Sequence, residues 1–285
     1  MKNIKINELE VIKHPIINVK KCLHPVLLQQ MPGRRNFELK VLNDIPKVEG
    51  PALYLVTHAT CHDAPVACEV IQEHFYVLVG KQPLEFIDRV FFNANGKIDV
   101  DRDDKESGKK ASEKAVKLLS SGVSVVMYPE RTWCTKASTP INPCLWGWVD
   151  IAKKANVPVI PIALEYYEYT DDCCYINASK PIIVSPNDSK IERNYELEDT
   201  FVTLKSEIWN QFPIQKRSEV DSNLWEKIMR QRYAEYPKLN IQKEKTYVMG
   251  YENDPDYVFN SPEFRTGIKK LEKIYGKCQN KNSEK

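Results

Sequence analysis

Several absences narrow this chain before any motif is read. It has no Cys-x-x-Cys pair; its eight cysteines, Cys22, Cys61, Cys68, Cys134, Cys144, Cys173, Cys174 and Cys278, are scattered. A structural zinc site is therefore not expected. With no leader-like segment ahead of them, the thiols are expected to be reduced, as in a cytosol. No apolar run approaches the roughly 20 residues of a membrane span, so the chain is expected to be soluble or to lie on a bilayer. Charge of one sign is lacking too: 41 basic residues stand against 39 acidic ones. No global field then draws the chain to nucleic acid, and none is expected as a partner, although a local basic patch can still meet an acidic surface. There is no internal repeat and no low-complexity tract. What remains is 285 residues, 42% of them hydrophobic, enough to bury one large core or two modest ones.

Short apolar runs suited to buried strands recur at 52–57, 75–80, 123–128 and 157–164, with two shorter candidates at 175–177 and 181–184. Between them the pattern predicts helices over 64–73, 105–121 and 145–156. The second places Ala111, Ala115, Val116, Leu118 and Leu119 on one side and stops at Gly122. Alternation of this kind predicts an α/β fold with a mostly parallel central sheet flanked by helices. Helical patterns at 197–211 and 221–236 predict a helical C-terminal extension. Three parts are thus expected: a basic N-terminal segment over 1–44, a catalytic core over 45–186, and the extension over 187–285. The run 16–31 is read either as an amphipathic element on a bilayer surface or as a helix packed on the domain.

Active sites of such sheets collect at the carboxyl ends of the strands. There the first strand runs straight into His58-Ala59-Thr60-Cys61-His62-Asp63. His58 and Asp63, five apart, fit a base and the carboxylate that orients it. His58 and His62 form an i, i+4 pair, but Ala59 stands where a His-Glu-x-x-His helix needs its glutamate, and no metal is expected. Three more stretches stand at strand ends: the polar clusters Gly96 to Arg102 and Pro129-Glu130-Arg131-Thr132-Trp133, and the apolar strand Val157-Pro158-Val159-Ile160-Pro161 with its two prolines.

In order, spacing and character these four stretches resemble the glycerolipid acyltransferase family, whose best-known members are the 1-acylglycerol-3-phosphate acyltransferases. That family has a His-x-x-x-x-Asp block, a Gly…Arg block, a Pro-Glu-Gly-Thr-Arg block and a Val-Pro-Val-x-Pro block. The likeness covers about residues 45–185 and implies the family's fold, that of the glycerol-3-phosphate acyltransferases. It implies that a fatty acyl group moves from an acyl thioester, on coenzyme A or acyl carrier protein, to a lysophospholipid hydroxyl, with 1-acylglycerol-3-phosphate the expected acceptor. His58 would be the general base and Asp63 its orienter. Gly96, Arg102, Glu130, Arg131 and Thr132 would bind the acceptor, Arg102 through its phosphate. No cofactor is implied beyond the thioester co-substrate. A cytoplasmic protein held peripherally at the inner face of a membrane follows from the insoluble product.

The third block departs from the family. Arg131 stands for its glycine and Trp133 for its arginine. A side chain thus sits where the backbone needs room or an unusual dihedral, and a phosphate-binding charge is displaced by two residues. The altered block keeps two other readings open, a lipid-binding homologue without turnover and a thioesterase-like hydrolase. The Trp146-Gly147-Trp148 element is read as lining an acyl tunnel or as packing on the sheet.

Overall fold

A computed structural model describes residues 37–71, 73–82, 86–136, 139–167, 173–212, 221 and 223–248. The run 16–31 lies outside them. Seven strands form one sheet: β1 (Glu38–Asn43), β2 (Leu53–Val56), β3 (Phe75–Gly80), β4 (Lys97–Val100), β5 (Ser124–Met127), β6 (Val159–Tyr167) and β7 (Cys173–Ala178). Their order across the sheet is β1-β7-β6-β2-β5-β3-β4. All neighbours run parallel except β6 and β7, which pair antiparallel. The expectation of a mostly parallel α/β sheet therefore holds. So does the helical C-terminal region.

β2 lies at the centre, and its four residues Leu53-Tyr54-Leu55-Val56 are all buried. Side chains alternate across a strand, so Leu53 and Leu55 enter one core while Tyr54 and Val56 enter another. The first core takes three helices: α3 (Lys105–Ser120), α4 (Gly147–Ala155) and α5 (Lys190–Gln211). These supply Ala115, Leu119, Trp148, Ile151 and Phe201. Trp148 thus packs on the sheet, its indole N–H donating to Asn194 at 3.1 Å. The second core takes α1 (Asp63–Val70) and α2 (Phe86–Asn95) through Val66, Ala67 and Phe92.

Two further helices, α6 (Leu224–Glu235) and α7 (Ile241–Lys245), follow α5. They cross the carboxyl-terminal edge of the sheet as a strap. Arg232 donates to the Ala59 carbonyl at 3.2 Å, and the Trp225 indole donates to the Thr135 carbonyl at 2.9 Å. The Tyr233 ring stacks on Trp133, with centroids 6.4 Å apart and planes 10° apart.

The strand expected at 181–184 reduces to a single antiparallel bridge between Ile182 and Val159. Pro181 has no N–H for a ladder, and Ile183 turns to solvent.

Candidate active site

β2, β3, β4 and β5 are mutually parallel, so their carboxyl ends share one edge. His58 follows β2, Gly80 ends β3, Arg102 follows β4, and Tyr128 follows β5. These four residues line one cavity of about 660 Å³ that also reaches Val77, Val79, Phe92 and Ile151. Its lining therefore combines apolar and charged side chains, and its volume lies within the range of small-molecule sites.

Asp63 is the first residue of α1, where the helix dipole favours a carboxylate. Its side chain is wholly buried yet fully engaged. Oδ2 accepts from the N–H groups of Ala59 at 2.6 Å and Thr60 at 3.0 Å and lies 2.7 Å from His58 Nδ1. Oδ1 accepts the Tyr166 hydroxyl at 2.7 Å. Burial pushes the Asp63 carboxyl up, but His58, the Thr60 N–H and the Tyr166 hydroxyl outweigh it and hold it below the usual carboxylate range. An ionised carboxylate only accepts. His58 Nδ1 is then the protonated nitrogen, and Nε2 keeps its lone pair. The imidazole is one-fifth exposed while Asp63 is sealed. Tyr128 stacks on the His58 ring at 4.5 Å between centroids, and Trp133 meets it edge-on at 6.4 Å. The arrangement is an oriented imidazole open on one side.

Glu130 sits behind this pair rather than in front of it. It is 1% exposed and does not line the cavity. Oε1 accepts the His58 backbone N–H at 2.7 Å, and Oε2 accepts the Asn142 N–H at 2.6 Å. Burial pushes its carboxyl up to about 8, against the pull of Lys205 and the two N–H donors.

Arg131 and Arg102 do face the cavity. Arg131 adopts φ 67°, the left-handed region that favours glycine, so the dihedral that a glycine would supply is kept by an arginine. Its Nη2 donates to the Arg102 carbonyl at 3.1 Å, and Arg102 Nη1 returns a bond to the Arg131 carbonyl at 2.9 Å. Burial, then the neighbouring Arg102 charge, lowers the Arg131 pKa from its ordinary value. Gly80 makes room for Arg102: a Cβ there would lie 2.8 Å from Nε.

Arg102 is already paired. Glu244 on α7 accepts from Nη2 at 2.6 Å and from Nη1 at 2.9 Å. Thr132 donates its hydroxyl to the same carboxylate at 2.7 Å, and Tyr247 lays its ring 3.9 Å from the guanidinium carbon. Thr132 thus touches the strap rather than the cavity. Gly96 stands apart as well. It has φ +105°, and the Tyr76 ring would meet a Cβ there at 2.8 Å; a turn into β4 explains it. Of the seven residues read from the motifs, the fold brings His58, Asp63, Arg102 and Arg131 together. Motif reading missed Glu244, Tyr128 and Tyr166, whose roles come only from the tertiary fold.

Cys61, His62 and Glu235 offer one thiol, one imidazole and one carboxylate within 4.8 Å of one another, a grouping that could take a metal ion. His62 and Glu235 are already spent on each other at 2.9 Å. His62 faces the strap rather than His58, and burial, which pushes it down, is outweighed by Cys61 and Glu235, which raise it to about 10. No disulfide joins the six described cysteines. No helix among the described residues is long and apolar enough to cross a membrane.

Residues 36–165 match the family model described as acyltransferase. Among solved structures, it is similar to the crystal structure of the 1-acyl-sn-glycerophosphate (LPA) acyltransferase PlsC from Thermotoga maritima. That likeness has 14% identity and a TM-score of 0.49, over 67% of this chain and 79% of that one. No curated protein matches the sequence.

Proposed function

We propose that the acyltransferase domain of this chain is an O-acyltransferase of phospholipid biosynthesis that moves a fatty acyl group from an acyl thioester to a lysophospholipid hydroxyl. The observation that carries this reading is the His58–Asp63 pair at 2.7 Å, sealed on the aspartate side and open on the histidine side. The hydroxyl oxygen attacks the thioester carbonyl as His58 Nε2 takes its proton. Asp63 holds the tautomer and stabilises the imidazolium. The new C–O bond forms, the C–S bond breaks, and the proton passes from His58 to the leaving thiolate. No acyl-enzyme is required.

The apolar wall formed by Val77, Val79, Phe92 and Ile151 suits an acyl chain. Coenzyme A and acyl carrier protein both present such a thioester. The lipid product partitions into a bilayer, so the reaction belongs at a membrane surface, peripherally. Phe86 is 72% exposed and lies one turn from Val90, which is 37% exposed, on α2; these give that surface an apolar contact.

The test is product analysis by mass spectrometry with acyl-coenzyme A, acyl carrier protein thioester and a lysophospholipid panel. Acylated lipid should form, and His58→Ala should slow it by on the order of 10²–10⁴. Free fatty acid as the main product would point to a hydrolase instead. Lipid binding without transfer would point to a non-catalytic homologue.

A further inference from the structure

The acceptor expected from the motifs, 1-acylglycerol-3-phosphate, needs a guanidinium free to grip its phosphate. Here that guanidinium is taken. Glu244 meets Arg102 with both carboxylate oxygens, and Thr132 completes its coordination. A carboxylate on a guanidinium fork stands where two phosphate oxygens would go. The side chains of Arg102 and Glu244 are only 9% and 15% exposed, so solvent does little to screen this exchange.

The strap that carries Glu244 is fixed as a wall. The Tyr247 hydroxyl donates to Asp103 at 3.1 Å, and Lys243 pairs with Asp103 at 2.8 Å. At its other end, Arg232 on Ala59, Glu235 on His62 and Trp225 on Thr135 tie α6 down. The stacking of Tyr233 on Trp133 adds to this. Trp133 occupies the position where the family has its second phosphate-binding arginine. The second departure in the third block therefore acts twice: it removes a cation, and the tryptophan that replaces it docks the segment that brings in an anion.

We propose that Glu244 is a specificity-determining residue, directing the acyl transfer away from phosphate-monoester acceptors and toward lysophospholipids whose phosphate is a diester. This deepens the acyl-transfer reading and rests on it. Arg102, Arg131, Lys105 and Lys238 face the carboxylates of Asp101, Asp104, Glu235 and Glu244 around the same cavity, so the lining holds no large positive excess, and the carboxylate on the Arg102 fork is that of Glu244. A phosphate monoester brings about −1.5 to −2 at neutral pH. A diester brings about one negative charge and has one fewer free oxygen. A diester's single charge suits such a lining, and the second charge of a monoester is repelled by Glu244. Selectivity of this kind works through an unfavourable element as much as through an attractive one.

The experiment compares two short-chain, water-soluble acceptors, 1-hexanoylglycerol-3-phosphate and 1-hexanoylglycerol-3-phosphocholine, in the wild type, Glu244→Gln and Glu244→Asp. kcat/KM should favour the diester by at least tenfold in the wild type. Glu244→Gln keeps the size of the side chain and removes its charge; it should raise the monoester at least tenfold and move the diester less than threefold. Glu244→Asp should keep the wild-type preference. A wild-type preference for the monoester, an unchanged ratio in Glu244→Gln, or an equal rise for both acceptors overturns the proposal, the last by making α7 a general lid. A parallel measurement of Kd for both lipids uses His58→Ala with and without Glu244→Gln, and reads the same preference without turnover. Diester-selective binding with no transfer by the wild type would sink the acyl-transfer reading and leave the role of Glu244 standing. Transfer without discrimination would do the reverse, and failure of the diester to bind would overturn the role of Glu244.

Discussion

The His58 backbone is held as firmly as its ring. Glu130 grips the His58 N–H with one oxygen and the Asn142 N–H with the other, tying the loop after β2 to the loop after β5. Motif reading assigned Glu130 to the acceptor; burial and hydrogen bonding make it a positioning residue behind the base. Glu130→Gln replaces one accepting oxygen by a donor that faces an N–H. The expected result is a 10- to 100-fold fall in kcat with KM little changed, since small displacements of a base are costly. Steady-state kinetics with both substrates varied separates the two parameters. The pH dependence has a definite sign. The folded state raises this carboxyl from 4.5 to about 8, so it holds its proton more tightly than the unfolded chain does. The contribution of Glu130 to stability therefore falls as pH rises through that window, while its capacity to accept both N–H bonds grows. Glu130→Gln should abolish both trends.

Among the elements, β4 depends on how it is entered. Gly96 supplies the positive φ and the absent Cβ that let the Tyr76 ring lie against the turn. Gly96→Ala should cost about 2–4 kcal/mol in denaturant unfolding, from backbone strain and overpacking together. The KM for the acceptor should not move, because Gly96 does not line the cavity. Most elements were legible in the sequence because their apolar spacing reports burial directly. β2, β3, β5 and β6 are runs of mostly buried residues, and α3 has its apolar stripe and its stop at Gly122, which adopts φ 85°. The others had weaker signals. β1 is an edge strand with exposed and half-buried residues alternating, so no apolar run marks it. α2 (FIDRVFFNAN) is poor in strong helix formers. His58, Asp63, Arg102 and Arg131 were legible because each lies at a strand end within a motif. Glu244 was not: 142 residues separate it from Arg102, and local patterns carry no information about such a pairing.

At the scale of the whole molecule, the strap is joined to the catalytic loop by a buried ion pair between His62 and Glu235. Because His62 is raised from 6.5 to about 10 in the folded state, this tie stabilises the molecule fully below pH 6.5 and is lost as pH rises through about 10. Glu235→Gln should destabilise the chain by about 1–3 kcal/mol at pH 7 and by nearly nothing above pH 10.5. Urea unfolding across that range, with the wild type alongside, measures the difference.

The same strap has a consequence for biosynthesis. His62 and Glu235 are 173 residues apart, and a ribosome adding ~5–20 residues per second needs about 9–35 s to travel from one to the other. From the end of β5 at Met127 until Glu235 is added, the nascent chain has the strands that line the cavity but not the segment that roofs it. An unroofed apolar chamber attracts chaperones and other nascent chains. The segment that roofs the cavity in the finished molecule is thus also what ends the chain's most aggregation-prone period.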